Sequence, residues 1–209
     1  MNLTEAKKIT GGLSDPDKMP RFAFNLPAIR CKVGSALRKV IGSVCNNCYA
    51  LKNRYMFTNV QKALERRYQS LDDPQWVEAM VILVRHYHQE VPYFRWHDSG
   101  DIRDEQHLSQ IFEVCRRTPE VYHWLPTREY SLVRNYLKTN EIPQNLCIRL
   151  SAHMVDQHTK IEIEGCTFST VSSGAPPEGA RRCPASEQGN KCGDCRACWF
   201  IPWVDYPEH

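Results

Sequence analysis

The sequence predicts an α/β protein built as a partial (β/α) barrel, with a cysteine-rich segment at its C-terminal end. Three observations carry this expectation. Short apolar runs alternate with stretches of helical periodicity, the pattern of parallel strands joined by crossover helices. Each run ends in a polar tip, where ligands bind in folds of this kind. Roughly five such strands fit into the chain, which falls short of the ~250 residues of a complete eightfold barrel, so the barrel is expected to be open.

In chain order, Phe22 to Leu26 reads as the first strand and leads through Pro27 into a cysteine loop. From Cys48 to Tyr68, Leu51, Tyr55, Leu64 and Tyr68 recur at near-helical spacing. Asp72-Asp73-Pro74 then ends that helix and starts another, with Asp73 as N-cap and Pro74 in the first helical position. Val77, Met80, Val84 and Tyr87 form its buried face. Tyr93 to His97 is a strand with the tip Asp98-Ser99-Gly100-Asp101, followed by a helix carrying Leu108, Ile111, Phe112 and Cys115. Asp98 and Asp101 have a structural alternative, as the N-cap and turn acid that start this helix.

Val121 to Leu125 follows, with the tip Pro126-Thr127-Arg128-Glu129 and a helix bearing Val133, Tyr136 and Leu137. Leu146 to Leu150 ends in Ser151-Ala152-His153, and Thr167 to Val171 in Ser172-Ser173-Gly174. Residues 1–180 are therefore read as the barrel with its cysteine loop, and 181–209 as a metal-binding segment packed on the same domain.

Apolar residues make up 42% and charged residues 24% of the chain, without low-complexity tracts, which excludes a disordered class. The net charge of +3 permits nucleic-acid contact but does not demand it, and no Lys/Arg stripe with interleaved aromatics stands out. Met1 to Thr10 has no apolar core of a signal peptide, and no run approaches a membrane span. The expectation is a soluble cytoplasmic protein without membrane association.

Seven of the ten cysteines fall into two sets with metal-ligand spacing. One is Cys31, Cys45 and Cys48; the other is Cys183, Cys192, Cys195 and Cys198. Soft thiolates at such spacing suit zinc or an iron–sulfur cluster rather than calcium or magnesium, and without a signal peptide they are read as ligands, not disulfides. Three cysteines can hold three irons of a 4Fe-4S cluster and leave the fourth open to a ligand. Four can close a site, as a second 4Fe-4S cluster or a structural zinc. Three arrangements stay open for the C-terminal set: a closed metal site, a staple for the chain end, or completion of the first cluster.

Outside these sets, Cys115 and Cys147 are read as buried apolar residues, while Cys166 lies beside a glycine. His86, His88, His107, His123 and His158 are read as surface or core residues. His97 and His153 stand at strand tips and are candidate pocket residues. Arg128 and Glu129 fit an ordinary surface pair. Trp96, Trp124 and Trp203 are assigned to the core, and Trp199 to shielding the C-terminal metal.

The order of strand, cysteine loop, helix and a second strand tipped by Ser99-Gly100-Asp101 resembles the radical S-adenosylmethionine (SAM) superfamily. That resemblance implies that SAM binds at the strand tips. Asp101, with Ser99 and Gly100, would meet its amino group, and Arg149 and Ser151 its carboxylate or ribose. The spacing departs from the superfamily's usual C-x3-C-x2-C, since thirteen residues separate Cys31 from Cys45, and Tyr49 follows the last cysteine. Over residues 20 to 200 the chain also resembles a phage-encoded family called gene product eighty-eight. Leu26-Pro27-Ala28, Cys48-Tyr49-Ala50, Ser99-Gly100-Asp101, Pro126-Thr127-Arg128-Glu129 and the C-terminal cysteine run carry that likeness.

The combined expectation is a phage iron–sulfur protein of the host cytoplasm resembling radical SAM enzymes, with a small-molecule ligand and a reductant as partners. The alternative is a non-catalytic iron–sulfur or zinc protein that binds or regulates a protein or nucleic-acid partner. Arg181-Arg182 gives the nucleic-acid version its basic feature.

Overall fold

A computed structural model describes residues 1–158 and 161–208. Thr159, Lys160 and His209, the last in the expected metal-binding segment, lie outside the described residues.

The chain opens with α1 (Leu3–Thr10), whose start is fixed by Asn2 and Glu5, each side chain accepting from the other's backbone N–H. Strand β1 (Ala23–Phe24) is shorter than the apolar run around it. The cysteine loop then holds α2 (Lys32–Leu37) and 3₁₀ turns at Ala28–Arg30, Tyr49–Leu51 and Asn53–Met56. The helix expected from Cys48 thus begins only at Thr58, as α3 (Thr58–Ser70). Next comes α4 (Trp76–Tyr87). Asp73 accepts from the Gln75 N–H at 2.8 Å in a turn, so Pro74 precedes the helix instead of opening it.

From there strands and helices alternate as the sequence predicts through β2 (Tyr93–Trp96), α5 (Glu105–Arg117), β3 (Tyr122–Thr127), α6 (Tyr130–Tyr136) and β4 (Leu146–Ser151), and β5 (Thr167–Ser172) follows β4 with no helix between them among the described residues. The N-cap of α5 is Asp104, whose carboxylate accepts from His107 N–H at 2.8 Å, which leaves Asp98 and Asp101 free of that duty. The C-terminal part adds β6 (Arg181–Arg182), the short α7 (Ala197–Phe200) and β7 (Trp203–Pro207).

All seven strands join one parallel sheet in the order β1-β2-β3-β4-β5-β7-β6, open between β1 and β6. The C-terminal segment is therefore part of the sheet. β7 inserts between β5 and β6, and its Asp205 is fully buried. That carboxylate accepts from Thr170 and Ser172 hydroxyls, both at 2.6 Å, and pairs with Arg182. A short run with a buried acid and a terminal proline lacks the apolar signature of a strand, which explains why the sequence pattern passes over it.

Strand alternation divides the sheet into two faces. Phe94, Trp96, Leu125, Ile148 and Leu150 pack with Trp76, Met80, Ile111 and Phe112 of the helices in one apolar core. Tyr93, Arg95, Trp124, Cys147 and Arg149 face the other way, toward the cysteine-bearing segments.

Candidate metal centre at the strand tips

The carboxyl ends of β1 to β4 are stitched together by side chains from the predicted tips. Leu26 N–H donates to the Ser99 carbonyl at 2.8 Å, and the Ser99 hydroxyl returns a bond to the Leu26 carbonyl at 2.9 Å. Gly100 has φ +86°, and a Cβ there would come 2.6 Å from Leu26 Cβ and 2.7 Å from its carbonyl oxygen, so only glycine fits. Asp101 accepts from Ile102 N–H (2.8 Å), Thr127 Oγ1 (2.6 Å) and Arg128 N–H (2.9 Å). Three donors occupy most of a carboxylate's roughly four lone-pair directions. Burial raises the Asp101 carboxyl against the lowering pull of these bonds.

Beside this knot sit Cys31, Cys45 and Cys48. Burial raises the Cys31 thiol, followed by Asp101 and by the two other thiols of the set. Cys45 is also raised by burial, with Arg128 pulling it down and Cys48 pushing it up. The loop that carries them closes over the tips of β3 and β4. Val33 N–H donates to Glu129 Oε1 at 3.0 Å, and Val44 N–H to the His153 carbonyl at 2.9 Å. Glu129 is consequently buried and does not form the expected surface pair with Arg128, whose Nε donates to the Ala152 carbonyl at 3.2 Å. His153 does reach this mouth, its ring stacked on Tyr130 at 4.3 Å between centroids. His97 does not. Its backbone turns left-handed (φ 62°), and its ring packs 5.2 Å from His107 in the core, with neither nitrogen hydrogen-bonded.

The second thiol set lies against the opposite sheet face. Burial raises Cys192, with Arg95 pulling it down before Cys183 and Cys195 add their effect. Cys198 is pushed up to about 12, chiefly by burial, and its Sγ lies 3.1 Å from the Tyr206 hydroxyl. Arg149, expected at a ligand, is fully buried and anchors this segment instead. It donates to the carbonyls of Phe168 (2.6 Å), Cys198 (3.1 Å) and Ile201 (2.6 Å). Ser151 is buried as well, its hydroxyl 3.5 Å from that of Ser169. Trp199 Nε1 donates to the carbonyls of Tyr122 (3.0 Å) and Phe94 (3.3 Å), pinning α7 across β2 and β3.

All ten cysteines are free thiols. Among the described residues no three His, Cys, Asp or Glu side chains are already gathered tightly enough to hold a metal ion. The thiols that act most on Cys31 and Cys45 belong to the 31/45/48 set, and those that act most on Cys183, Cys192 and Cys198 belong to the 183/192/195/198 set. A Cβ built on Gly34 would lie 3.6 Å from Cys45 Sγ and 3.8 Å from Cys31 Sγ, so the glycine leaves space in the cradle between these two sulfurs. By its chemistry this donor set fits a thiolate-bound metal group, which Cys31, Cys45 and Cys48 would hold.

The sequence model of the family described as gene product 88 matches residues 1–201. The chain belongs to the gene product 88 family. No curated protein and no solved structure matches it.

In this gene product 88 protein a polar bridge missed by sequence reasoning runs between the two thiol sets. Asp98 receives Tyr49 OH on its carbonyl and Tyr55 OH on its carboxylate, and Arg95 donates to its Oδ1 at 3.1 Å. The guanidinium lies 4.5 Å over the Trp124 ring. Burial pulls Arg95 down, but Asp98, Tyr49, Tyr206 and Cys198 outweigh it and hold the group above its ordinary range. An acid three residues after an arginine, at the end of an apolar strand, is the one sequence signal that could have pointed here.

Proposed function

We propose that this protein is an iron–sulfur protein in which Cys31, Cys45 and Cys48 hold a 4Fe-4S cluster with one open position, acting as a one-electron redox enzyme on a ligand such as SAM. The observation that carries this reading is a set of three thiols without a fourth, at the carboxyl ends of parallel strands, where ligands reach such sheets. A single zinc ion requires sulfurs about 2.3 Å from one centre. In a four-iron cluster the cysteines bind separate irons, so three of them can leave one iron open.

When bound, a cluster of this kind supplies one electron to its ligand. The chain's own residues do the rest. Cys31, Cys45 and Cys48 lose their protons on metal binding, a release coupled to ordering of the loop. Arg128, through its effect on Cys45, offsets the negative charge that accumulates there. Asp101 keeps one lone-pair direction for a ligand's amino group, and His153 and Tyr130 wall the mouth. The C-terminal set, with four thiols, closes a second site as a cluster or zinc.

A second reading, a non-catalytic metal-stabilised binding module, is favoured by one observation: Asp101 and Arg149 are both tied up in holding the fold. Electron paramagnetic resonance of anaerobic, dithionite-reduced protein separates the two. A four-iron signal that changes on adding SAM is expected. A signal indifferent to SAM, or zinc without iron, would leave only the binding module.

A further inference from the structure

The loop that carries the first thiol set belongs to a stretch with an unusual charge. Between Asp17 and Glu65 there is no Asp or Glu at all, while residues 18–64 hold nine Lys and Arg. Arg30 and Arg54 are paired with Glu65 and Asp17 at the edges of this stretch. Lys32, Arg38, Lys39 and Lys52 form no salt bridge among the described residues, although Lys32 acts on the Glu129 carboxyl, and all but Arg38 are exposed. The carboxylates nearest the thiols, Asp101 and Glu129, are turned inward onto backbone N–H groups.

The same stretch is also apolar at its surface. Six of the ten exposed large hydrophobic residues among the described residues lie between positions 29 and 57, with Ile41 90%, Ile29 60% and Phe57 59% accessible. Hydrogen bonds hold the lobe together: Arg38 to the Ile29 carbonyl and to Ser35, and Asn46 to the Arg38 carbonyl. Exposed apolar side chains and exposed cations carried by one short stretch are the composition of a protein-docking surface, and the uniform sign selects an acidic partner. Most of these side chains are aliphatic, which gives nucleic-acid bases few rings to stack on.

We infer that the 18–64 lobe docks a small acidic electron-carrier protein over the Cys31, Cys45 and Cys48 site. This rests on the metal reading above for the partner's redox role, and on charge and apolarity alone for its acidic surface. The contact would serve transfer of one electron from the carrier to a metal group held by Cys31, Cys45 and Cys48, leaving the carrier oxidised by one electron, with no bond made or broken. Redox encounters of this type use small, salt-sensitive interfaces, which matches a lobe only tens of residues long.

The test uses a bacterial flavodoxin as the probe, with binding followed by its flavin absorbance and iron measured in every sample. Wild type is expected to bind at low salt and to lose about tenfold or more in affinity in 0.5 M salt. The Lys32→Glu/Lys39→Glu variant should lose at least as much, and Ile41→Ser should weaken binding several-fold. The Arg134→Glu/Lys138→Glu variant, an equal charge change elsewhere, should behave as wild type. Equal losses in both double variants would overturn the inference. So would tighter binding of a 20-nucleotide single-stranded DNA that the Lys32/Lys39 variant abolishes. Lysine-dependent flavodoxin binding by iron-free protein would keep the surface and discard the metal reading. Iron-loaded protein that ignores flavodoxin at low salt would do the reverse.

Discussion

The two cysteine regions use the same side chain and differ in almost everything around it. The N-terminal set has three thiols on a loop laid over the strand tips, among exposed aliphatic residues and exposed lysines. The C-terminal set has four thiols on a segment woven into the sheet through β6 and β7, with Arg149, Tyr206 and Trp199 holding it down. Thiol number and anchoring vary together: the set anchored in the sheet has four sulfurs, enough to close a site, and the set on the tip loop has three.

The largest effect should come from the anchor of the C-terminal region. Arg149→Met leaves the buried carbonyls of Phe168, Cys198 and Ile201 without their donor and is expected to cost about 3–5 kcal/mol in urea unfolding. Metal at the C-terminal set should be lost before metal at the first. Loss of the first site's metal instead would reverse the assignment of which region depends on this arginine.

At the other region, Gly100→Ala forces a Cβ into Leu26 at a left-handed position, with an expected loss on the order of 3 kcal/mol. The damage should centre on the strand tips and the N-terminal site, visible as faster amide exchange around Leu26 and Thr127 while β7 stays protected.

Acid should remove the difference between the regions, because the groups that titrate lie in their shared core. His123 accepts from Trp96 Nε1 at 3.2 Å on one nitrogen and meets the Thr118 hydroxyl at 2.8 Å on the other, and burial lowers it to about 3. Burial also lowers His107 to about 3. The unfolded chain takes up these protons near pH 6.5 while the native chain resists them. Stability is therefore full above that pH and falls below it by about 1.4 kcal/mol per pH unit per histidine, down to about pH 3. Thermal unfolding between pH 7 and 4.5 checks this, and His123→Gln should remove part of the slope.

The smallest effect on stability should be Gly34→Ala. Alanine favours α2, but its Cβ would lie 3.0 Å from Cys31 Cβ and crowd the thiol cradle. Unfolding should change by less than ~1 kcal/mol, while affinity for metal at the first site falls about tenfold. Unchanged metal affinity would show that the cradle is not part of the site.

Much of the sheet was legible because β2 to β5 are apolar runs closed by polar tips. What escaped did so for physical reasons. β7 carries a buried aspartate satisfied by hydroxyls from a neighbouring strand, and no local pattern reveals a partner that distant. Arg149 reads as a ligand-binding cation, yet its donors go to carbonyls about 20 and 50 residues away in the chain. The two cysteine sets are read from spacing, and the fold adds that one lies on the tip loop and the other on the segment that carries β6 and β7. The acid-free stretch was present in the sequence but hidden by a whole-chain charge of only +3, since acids elsewhere balance it.

The central claim is that two independent thiol sites exist, and metal analysis of anaerobically purified Cys45→Ala and Cys195→Ala proteins, beside wild type, tests it most directly. Each substitution is predicted to remove the iron or zinc of its own site and leave the other loaded, with iron lost in Cys45→Ala. Either substitution emptying both sites, or neither changing the metal content, would contradict the account.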